Sequence, residues 1–174
     1  MRTHVLVAGK IHSSGIDLLK QTPGITFDYV EAVSEESYAG MVDKADALVI
    51  RTQPLSARTI AAATRLCIVS RHGVGYDSVD TEAAKARGIA VTNTPDVLTN
   101  AVAELTIGMM LALARQIVVA DRYIRDGKWV SVYGFPFAQE LNGKTVGILG
   151  LGRIGKEIAL RAQAMRMRVV YHGR

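Results

Sequence analysis

The run Lys144-Thr145-Val146-Gly147-Ile148-Leu149-Gly150-Leu151-Gly152-Arg153-Ile154-Gly155 joins a strand-like segment to three glycines spaced G-x-G-x-x-G, and a helix is read from Lys156 to Met165. Each glycine has a separate physical task. Gly150 permits a tight turn, Gly152 lets the backbone approach a pyrophosphate, and Gly155 lets helix and strand pack closely. The start of the helix adds unpaired N–H groups and partial positive charge, which suit an anion. Glycine turns are common, so the triplet alone carries little weight. A strand before it, a helix after it and a second strand at Arg168 to Tyr171 make a β-α-β unit and point to a dinucleotide site.

The end of that second strand bears on which dinucleotide is held. NAD-specific sites place an acidic residue about 20 positions on, where it accepts hydrogen bonds from the ribose 2′-hydroxyl. Here the strand runs into His172-Gly173-Arg174, with no acid. Gly173 leaves room for a 2′-phosphate, and Arg174 offers it a planar, bidentate guanidinium. NADP(H) is therefore expected in preference to NAD(H).

Upstream, short β-branched runs alternate with helical stretches. Strands are read at His4–Ala8, Ile25–Val30, Ala47–Arg51, Leu66–Ser70 and Ile89–Thr92. Helices are read at Ser13–Gln21, Glu35–Lys44, Ala57–Thr64 and Thr81–Arg87, with starts at Ser34, Ser56 and Asp80 and a stop at Gly88. Parallel strands with helical crossovers need cover on both faces, which gives an α/β domain with a flavodoxin-like, doubly wound parallel sheet over residues 1–98. A phosphoacceptor receiver of the same architecture needs acidic residues after its first strand. Ala8-Gly9-Lys10 excludes it.

One long helix is read from Asn100 to about Arg125, capped by Thr99 or Asn100 and ending near Gly127. It opens a second domain, residues 99–174, which holds this crossover helix and the first β-α-β of a Rossmann domain. Val102, Leu105, Ile107, Met109, Met110, Leu111 and Leu113 leave its first half without a polar face, so burial between two bodies is expected.

Composition fits globular structure, with 174 residues, 49% apolar and 21% charged. Of 21 Lys and Arg residues seven fall within 143–174, against one of the 16 acidic residues. Those cations are spread around the helix Lys156–Met165 and the strand after it with no single stripe, which favours a phosphorylated ligand over nucleic acid. The charge-free run Leu105–Ala114 is half of the ~20 residues that span a bilayer, and the apolar stretch after Met1-Arg2-Thr3-His4 is too short for a signal peptide. A cytoplasmic protein without membrane contact is expected. The lone Cys67 lies in an apolar run and reads as a buried, inert thiol. No metal ligands are nominated.

Three segments carry a family resemblance: Arg71-His72-Gly73-Val74-Gly75-Tyr76-Asp77-Ser78-Val79-Asp80, then Thr99-Asn100-Ala101-Val102-Ala103-Glu104-Leu105-Thr106-Ile107-Gly108, then Asn142-Gly143-Lys144 through Gly155. Together they resemble the D-isomer-specific 2-hydroxyacid dehydrogenases, a family that includes glyoxylate/hydroxypyruvate reductases, phosphoglycerate dehydrogenases and phosphite dehydrogenase. The resemblance spans the whole chain. It implies a substrate domain first, a crossing to the nucleotide domain by the long helix, and dimerisation through the nucleotide domain.

By position, the resemblance implies that the Val74 and Gly75 N–H groups hold the substrate carboxylate, with Val74 also touching the nicotinamide. A glycine-bounded loop suits that task, because adjacent N–H groups bind an anion without a side-chain charge. Thr106 matches a cofactor contact on the crossover helix, and Arg153 and Ile154 match residues lining the pyrophosphate. Arg51, in Arg51-Thr52-Gln53-Pro54-Leu55, matches the loop at the substrate cleft, where it would steer acidic substrates. Glu104 is given no catalytic duty. The family's catalytic Arg, Glu and His are implied beyond residue 174, so none of His4, His12, His72 or His172 is nominated. One departure is Arg166, where the family usually has a glycine to end the helix; a left-handed Arg there costs roughly 1 kcal/mol.

The expected function is thus the N-terminal part of an NADP-preferring dehydrogenase that reduces a small 2-oxo acid, glyoxylate or hydroxypyruvate, with 3-phosphoglycerate as the alternative substrate. These residues alone are expected to be inactive and not to be stable on their own. A non-catalytic, dinucleotide- or acid-binding truncated relative is the competing possibility.

Overall fold

The computed structural model describes residues 2–131 and 133–173. Arg174, nominated above for the 2′-phosphate, lies outside the described residues. Two compact units are present, Met1–Pro95 and Asp96–Arg174.

The first unit runs β1 (Thr3–Ala8), α1 (Ser13–Gln21), β2 (Ile25–Val30), α2 (Glu36–Ala39), β3 (Ala47–Ile50), α3 (Ala57–Ala62), β4 (Ile68–Arg71), α4 (Thr81–Ala86) and β5 (Ala90–Thr92). The strands form one parallel sheet in the order β2-β1-β3-β4-β5, the flavodoxin-like winding. Consecutive residues Val5 to Ala8 of β1 are all buried, as a central strand covered on both faces requires. Leu6, Leu48, Ile50 and Val69 pack with Tyr38, Leu55 and Ile60 as the core.

Local chemistry sets the helix starts. The Ser56 side chain accepts from the Thr59 N–H and Asp80 from the Ala83 N–H, which satisfies donors at the starts of α3 and α4. Gly88, at φ +69°, ends the last of these helical segments in the left-handed region. Ser34 is not a cap, contrary to the sequence expectation. The helix expected over 35–44 is instead α2 and a separate 3-10 turn, Val42–Lys44, divided at Gly40. Glu35 serves a different helix: its Oε1 accepts both the N–H and the hydroxyl of Ser56, each at 2.7 Å. Burial pushes the Glu35 carboxyl up, but hydrogen bonds from Thr59 and Ser56 outweigh it and hold the group below its ordinary range. Cys67 is exposed rather than buried. It lies just before β4, where its N–H donates to Asp46 O and its carbonyl accepts from Ala90 N, so the sheet uses its backbone and leaves the thiol outside the core.

The second unit comprises α5 (Thr99–Ala114), α6 (Ile117–Arg125), β6 (Thr145–Leu149), α7 (Arg153–Ala164) and β7 (Arg168–His172), with β6 and β7 parallel. The single long helix expected here is two. Gln116 adopts φ +54°, and the Arg115 and Gln116 N–H groups turn back to Leu111 and Leu113, so the first helix closes and a second starts at a 57° bend. Leu98, not Thr99 or Asn100, holds the cap position, and it offers no side-chain hydrogen bond. The expected burial of α5 is not met either: only Ala103 is buried, while Leu105, Met109 and Leu113 are 63%, 63% and 83% exposed. An all-round apolar helix needs cover on every side, and within this unit α6 and α7 are what pack against it. Among the described residues no single helix is long and apolar enough to cross a membrane.

Candidate functional site

The glycine-rich turn has the conformation its spacing demands. Gly150, at φ +91°, sits in the left-handed region directly after β6 and donates its N–H to His172 O at 2.7 Å. Gly152 is the extended residue preceding α7, with no side chain to take the free N–H groups of the first turn. The helix starts at Arg153 rather than Lys156, so the last glycine lies inside its first turn. A Cβ on Gly155 would collide with the Gly150 carbonyl oxygen, so the close approach of helix to turn requires glycine there. A Cβ on Gly152 would meet nothing within 4 Å. The turn therefore has open space beside free helix N–H groups, and these residues fit a dinucleotide pyrophosphate.

The end of β7 comes to the same place. A Cβ on Gly173 would lie 3.4 Å from Gly150 Cα and 3.6 Å from Leu151 N. Gly150, Gly152, Gly155 and Gly173 thus form one cluster. Arg153 Nε stands 3.0 Å from Asp96 Oδ1, and Ile154 is 37% exposed. Thr106 donates its hydroxyl to Val102 O at 2.8 Å, which spends its hydrogen within its own helix and leaves the oxygen as an acceptor. Arg166 adopts φ +58°, the left-handed conformation expected there from the sequence. The Met167 N–H donates back to Ala162 O at 3.0 Å, so the helix closes in the usual left-handed way with Arg in the strained position.

In the first unit, Arg51 and the loop carrying Val74 and Gly75 leave the carboxyl ends of adjacent strands, and the His72 N–H donates to Ile50 O at 2.7 Å. Two bonds from the segment after β5 hold this loop: Thr94 N to Gly73 O at 3.0 Å, and Asn93 Nδ2 to Val74 O at 2.7 Å. Both bonds consume carbonyls. Among the described residues neither the Val74 nor the Gly75 N–H has a hydrogen-bond acceptor, so a pair of successive donors is left for an anion. Arg51 is exposed and donates through Nη1 to Lys10 O at 2.8 Å, and among the described residues its Nε–H and Nη2 donors have no acceptor.

A family profile described as D-isomer specific 2-hydroxyacid dehydrogenase, catalytic domain, matches residues 5–169. The chain belongs to that family. It is 38% identical over its whole length to a glyoxylate reductase of Thermococcus onnurineus, covering 54% of that protein. It is 41% identical, over 95% of its length, to 31% of a D-3-phosphoglycerate dehydrogenase of Archaeoglobus fulgidus. Among solved structures, an NADPH-dependent glyoxylate/hydroxypyruvate reductase of Sinorhizobium meliloti, in complex with NADP and malonate, superposes with a TM-score of 0.84 at 37% identity. That match covers the whole chain and 54% of the reductase. The chain spans about half the length of the glyoxylate reductases it matches.

Within this dehydrogenase family chain, several contributors to the two clusters escaped the sequence reading. Asn93 clamps the Val74 carbonyl across a sequence gap that no local pattern spans. Asp96 takes the left-handed conformation, φ +71°, which Asp tolerates better than most residues, and its carboxylate faces Arg153. Gln53 is fully buried although polar. Gly9, directly after β1, packs against the Gln53 side chain at a φ of +102°.

Proposed function

We propose that the intact protein containing this chain is an NADP(H)-preferring dehydrogenase that interconverts a small 2-oxo acid, glyoxylate or hydroxypyruvate, with its 2-hydroxy acid. The observation that carries this reading is the cluster of Gly150, Gly152, Gly155 and Gly173: open space beside free helix N–H groups, and a glycine where an NAD site has its acid. The NADP-bound reductase among the similar structures supports it. When bound, the nicotinamide supplies or accepts the hydride.

Residues 1–98 are the substrate domain in this scheme, and residues 99–174 the first part of the nucleotide domain. The Val74 and Gly75 N–H groups bind the substrate carboxylate, and the Val74 side chain lies against the nicotinamide. Arg51 adds a positive charge that draws the acid in. The N–H groups of the first turn of α7 hold the pyrophosphate, lined by Arg153 and Ile154. Thr106 contacts the cofactor as an acceptor, and Gly173 and Arg174 admit and bind the 2′-phosphate. The catalytic Arg, Glu and His belong to sequence beyond residue 174. The exposed apolar side of α5 supports a homodimer formed through the nucleotide domain.

Steady-state assays of the intact protein test this. NADPH oxidation by glyoxylate or hydroxypyruvate should exceed NADH oxidation, and no turnover with any 2-oxo acid refutes the assignment. The phosphoglycerate dehydrogenase relative supports a second reading, 3-phosphoglycerate as substrate, which the same assay run in the oxidative direction decides.

A further inference from the structure

Gln53 is 0% exposed, one of two buried polar residues among the described residues, and both ends of its amide are bonded. Oε1 accepts the Thr52 N–H at 2.9 Å, and Nε2 donates to Ala32 O at 2.9 Å. Gly9 lies against the same side chain. A Cβ there would come within 2.5 Å of Gln53 Oε1, 2.7 Å of Gln53 Nε2 and 2.9 Å of Arg51 Cβ, so glycine is needed for space as well as for its φ of +102°. The Arg51 N–H donates to Ala8 O at 3.1 Å, and its guanidinium donates to Lys10 O. The segments that follow β1, β2 and β3 are therefore clamped about one buried amide. They sit at the β1/β3 boundary, where the winding of such a sheet reverses and where ligands of doubly wound folds bind.

A buried Leu or Met would fill the same volume without hydrogen bonds. The amide instead joins a donor and an acceptor belonging to two different loops, the Thr52 N–H and the Ala32 carbonyl. Its effect is on loop conformation, and the loop it holds is the one that carries Arg51. We propose that Gln53 is a positioning residue, whose buried amide fixes the backbone of Arg51 to Gln53 and so aims the Arg51 guanidinium at the substrate carboxylate. This rests on the assignment of Arg51 to substrate binding made above. An arginine on a fixed backbone loses less freedom on binding than one on a mobile loop, so the interaction is preorganised.

The test uses the intact protein, with glyoxylate as the varied substrate and the variants R51L, Q53M, Q53E and the double variant R51L/Q53M. R51L alone examines the assignment of Arg51 and should raise KM about tenfold or more, the loss of a charge-assisted hydrogen bond. Q53M should raise KM for glyoxylate about tenfold through misplacement of the guanidinium, with kcat and the KM for NADPH changed much less. The double variant should be no worse than R51L. Q53E adds a pH signature: a protonated carboxyl can donate to Ala32 O as the amide does, so its KM should be near wild type in acid and rise as the group ionises. The wild type should lack that step. An unchanged KM in Q53M, or the same KM increase from Q53M in the R51L background, overturns the proposal. If Q53M does not fold, a Q53E profile without the step overturns it. An unchanged KM in R51L refutes the assignment of Arg51 and the positioning role with it, and a wild type without turnover on any 2-oxo acid overturns the functional reading and this proposal together.

Discussion

Two substitutions in the glycine turn should have opposite effects on stability while both weaken dinucleotide binding. At Gly155 an added methyl collides with the Gly150 carbonyl oxygen and lies 3.2 Å from Ile148 Cγ2 and 3.3 Å from Gly150 C. Two of these three atoms are backbone, so no side-chain rotation clears them, and α7 must move away from β6. Overpacking of this kind costs ~1–3 kcal/mol, offset in part by up to ~1 kcal/mol from the better helix propensity of Ala. Because the main clash is with backbone, the cost falls in the upper half of that range, ~2–3 kcal/mol, and Gly155→Ala should lower stability by about 1–2 kcal/mol after that offset. At Gly152 the backbone is extended, a conformation any residue adopts, and a Cβ meets nothing within 4 Å. Gly152→Asp places a good capping carboxylate at the helix start and should raise stability by ~0.3–1 kcal/mol. That carboxylate takes the same N–H groups the pyrophosphate would use. Losing one charge-assisted hydrogen bond of ~1.5–3 kcal/mol weakens binding roughly 10- to 100-fold, before any repulsion between the anions is added. Urea unfolding followed by circular dichroism measures the first quantity, and titration of NADPH fluorescence the second. A Gly152→Asp variant that unfolds earlier than wild type, or that binds NADPH unchanged, refutes the reasoning; so does a Gly155→Ala variant with wild-type stability.

Three further outcomes are expected. Arg166→Gly releases a left-handed residue at φ +58° and should stabilise the protein by about 0.5 kcal/mol, the ~1 kcal/mol of strain less the extra chain entropy of glycine; urea midpoints decide it. Asp80→Ala removes the cap bond to the Ala83 N–H, 2.9 Å long, and should cost about 1 kcal/mol by the same assay. Hydrogen bonds from the His4 N–H and the Arg65 guanidinium, helped by the nearby positive charge, hold the Asp46 carboxyl below its ordinary range, against the opposing effect of burial. Because its folded value lies below its unfolded one, this stabilisation is complete above about pH 4 and disappears as pH falls through the folded value. The stability gap between wild type and Asp46→Asn should accordingly shrink in acid, and a gap that stays constant from pH 7 to pH 3 refutes the role.

Much of the fold was legible because its determinants are local. The strands of the first unit announce themselves as β-branched runs separated by helical stretches, and Ser56 and Asp80 mark helix starts by a side-chain oxygen that reaches a nearby N–H. The glycine turn was legible for the same reason, since φ +91° at Gly150 is a property of one residue. Misreadings arose where a local signal was present but a distant residue decided. Ser34 had the right side chain for a cap, yet Glu35 reached across to Ser56 and α2 began without one. The break at Gln116 had no local signal, because neither Gly nor Pro stands there. Cys67 lay among apolar neighbours, but placement outside β4 exposed its thiol.

The candidate site divides along the same line. Sequence alone pointed to the backbone segments proposed to bind an anion, the turn at Gly150 to Gly155 by its glycine spacing and the loop at Val74 and Gly75 by resemblance. Backbone freedom and free N–H groups follow from residue type and from the order of strand, turn and helix. Only the tertiary structure decided what holds those segments in shape: Asn93 on the Val74 carbonyl, Asp96 beside Arg153, Gly173 against Gly150, and Gln53 joining Thr52 to Ala32 above Gly9. Each of those contacts spans a gap that the periodicity of a helix or strand does not encode. Whether a polar side chain there is buried or solvated depends on which distant backbone groups the fold brings to it.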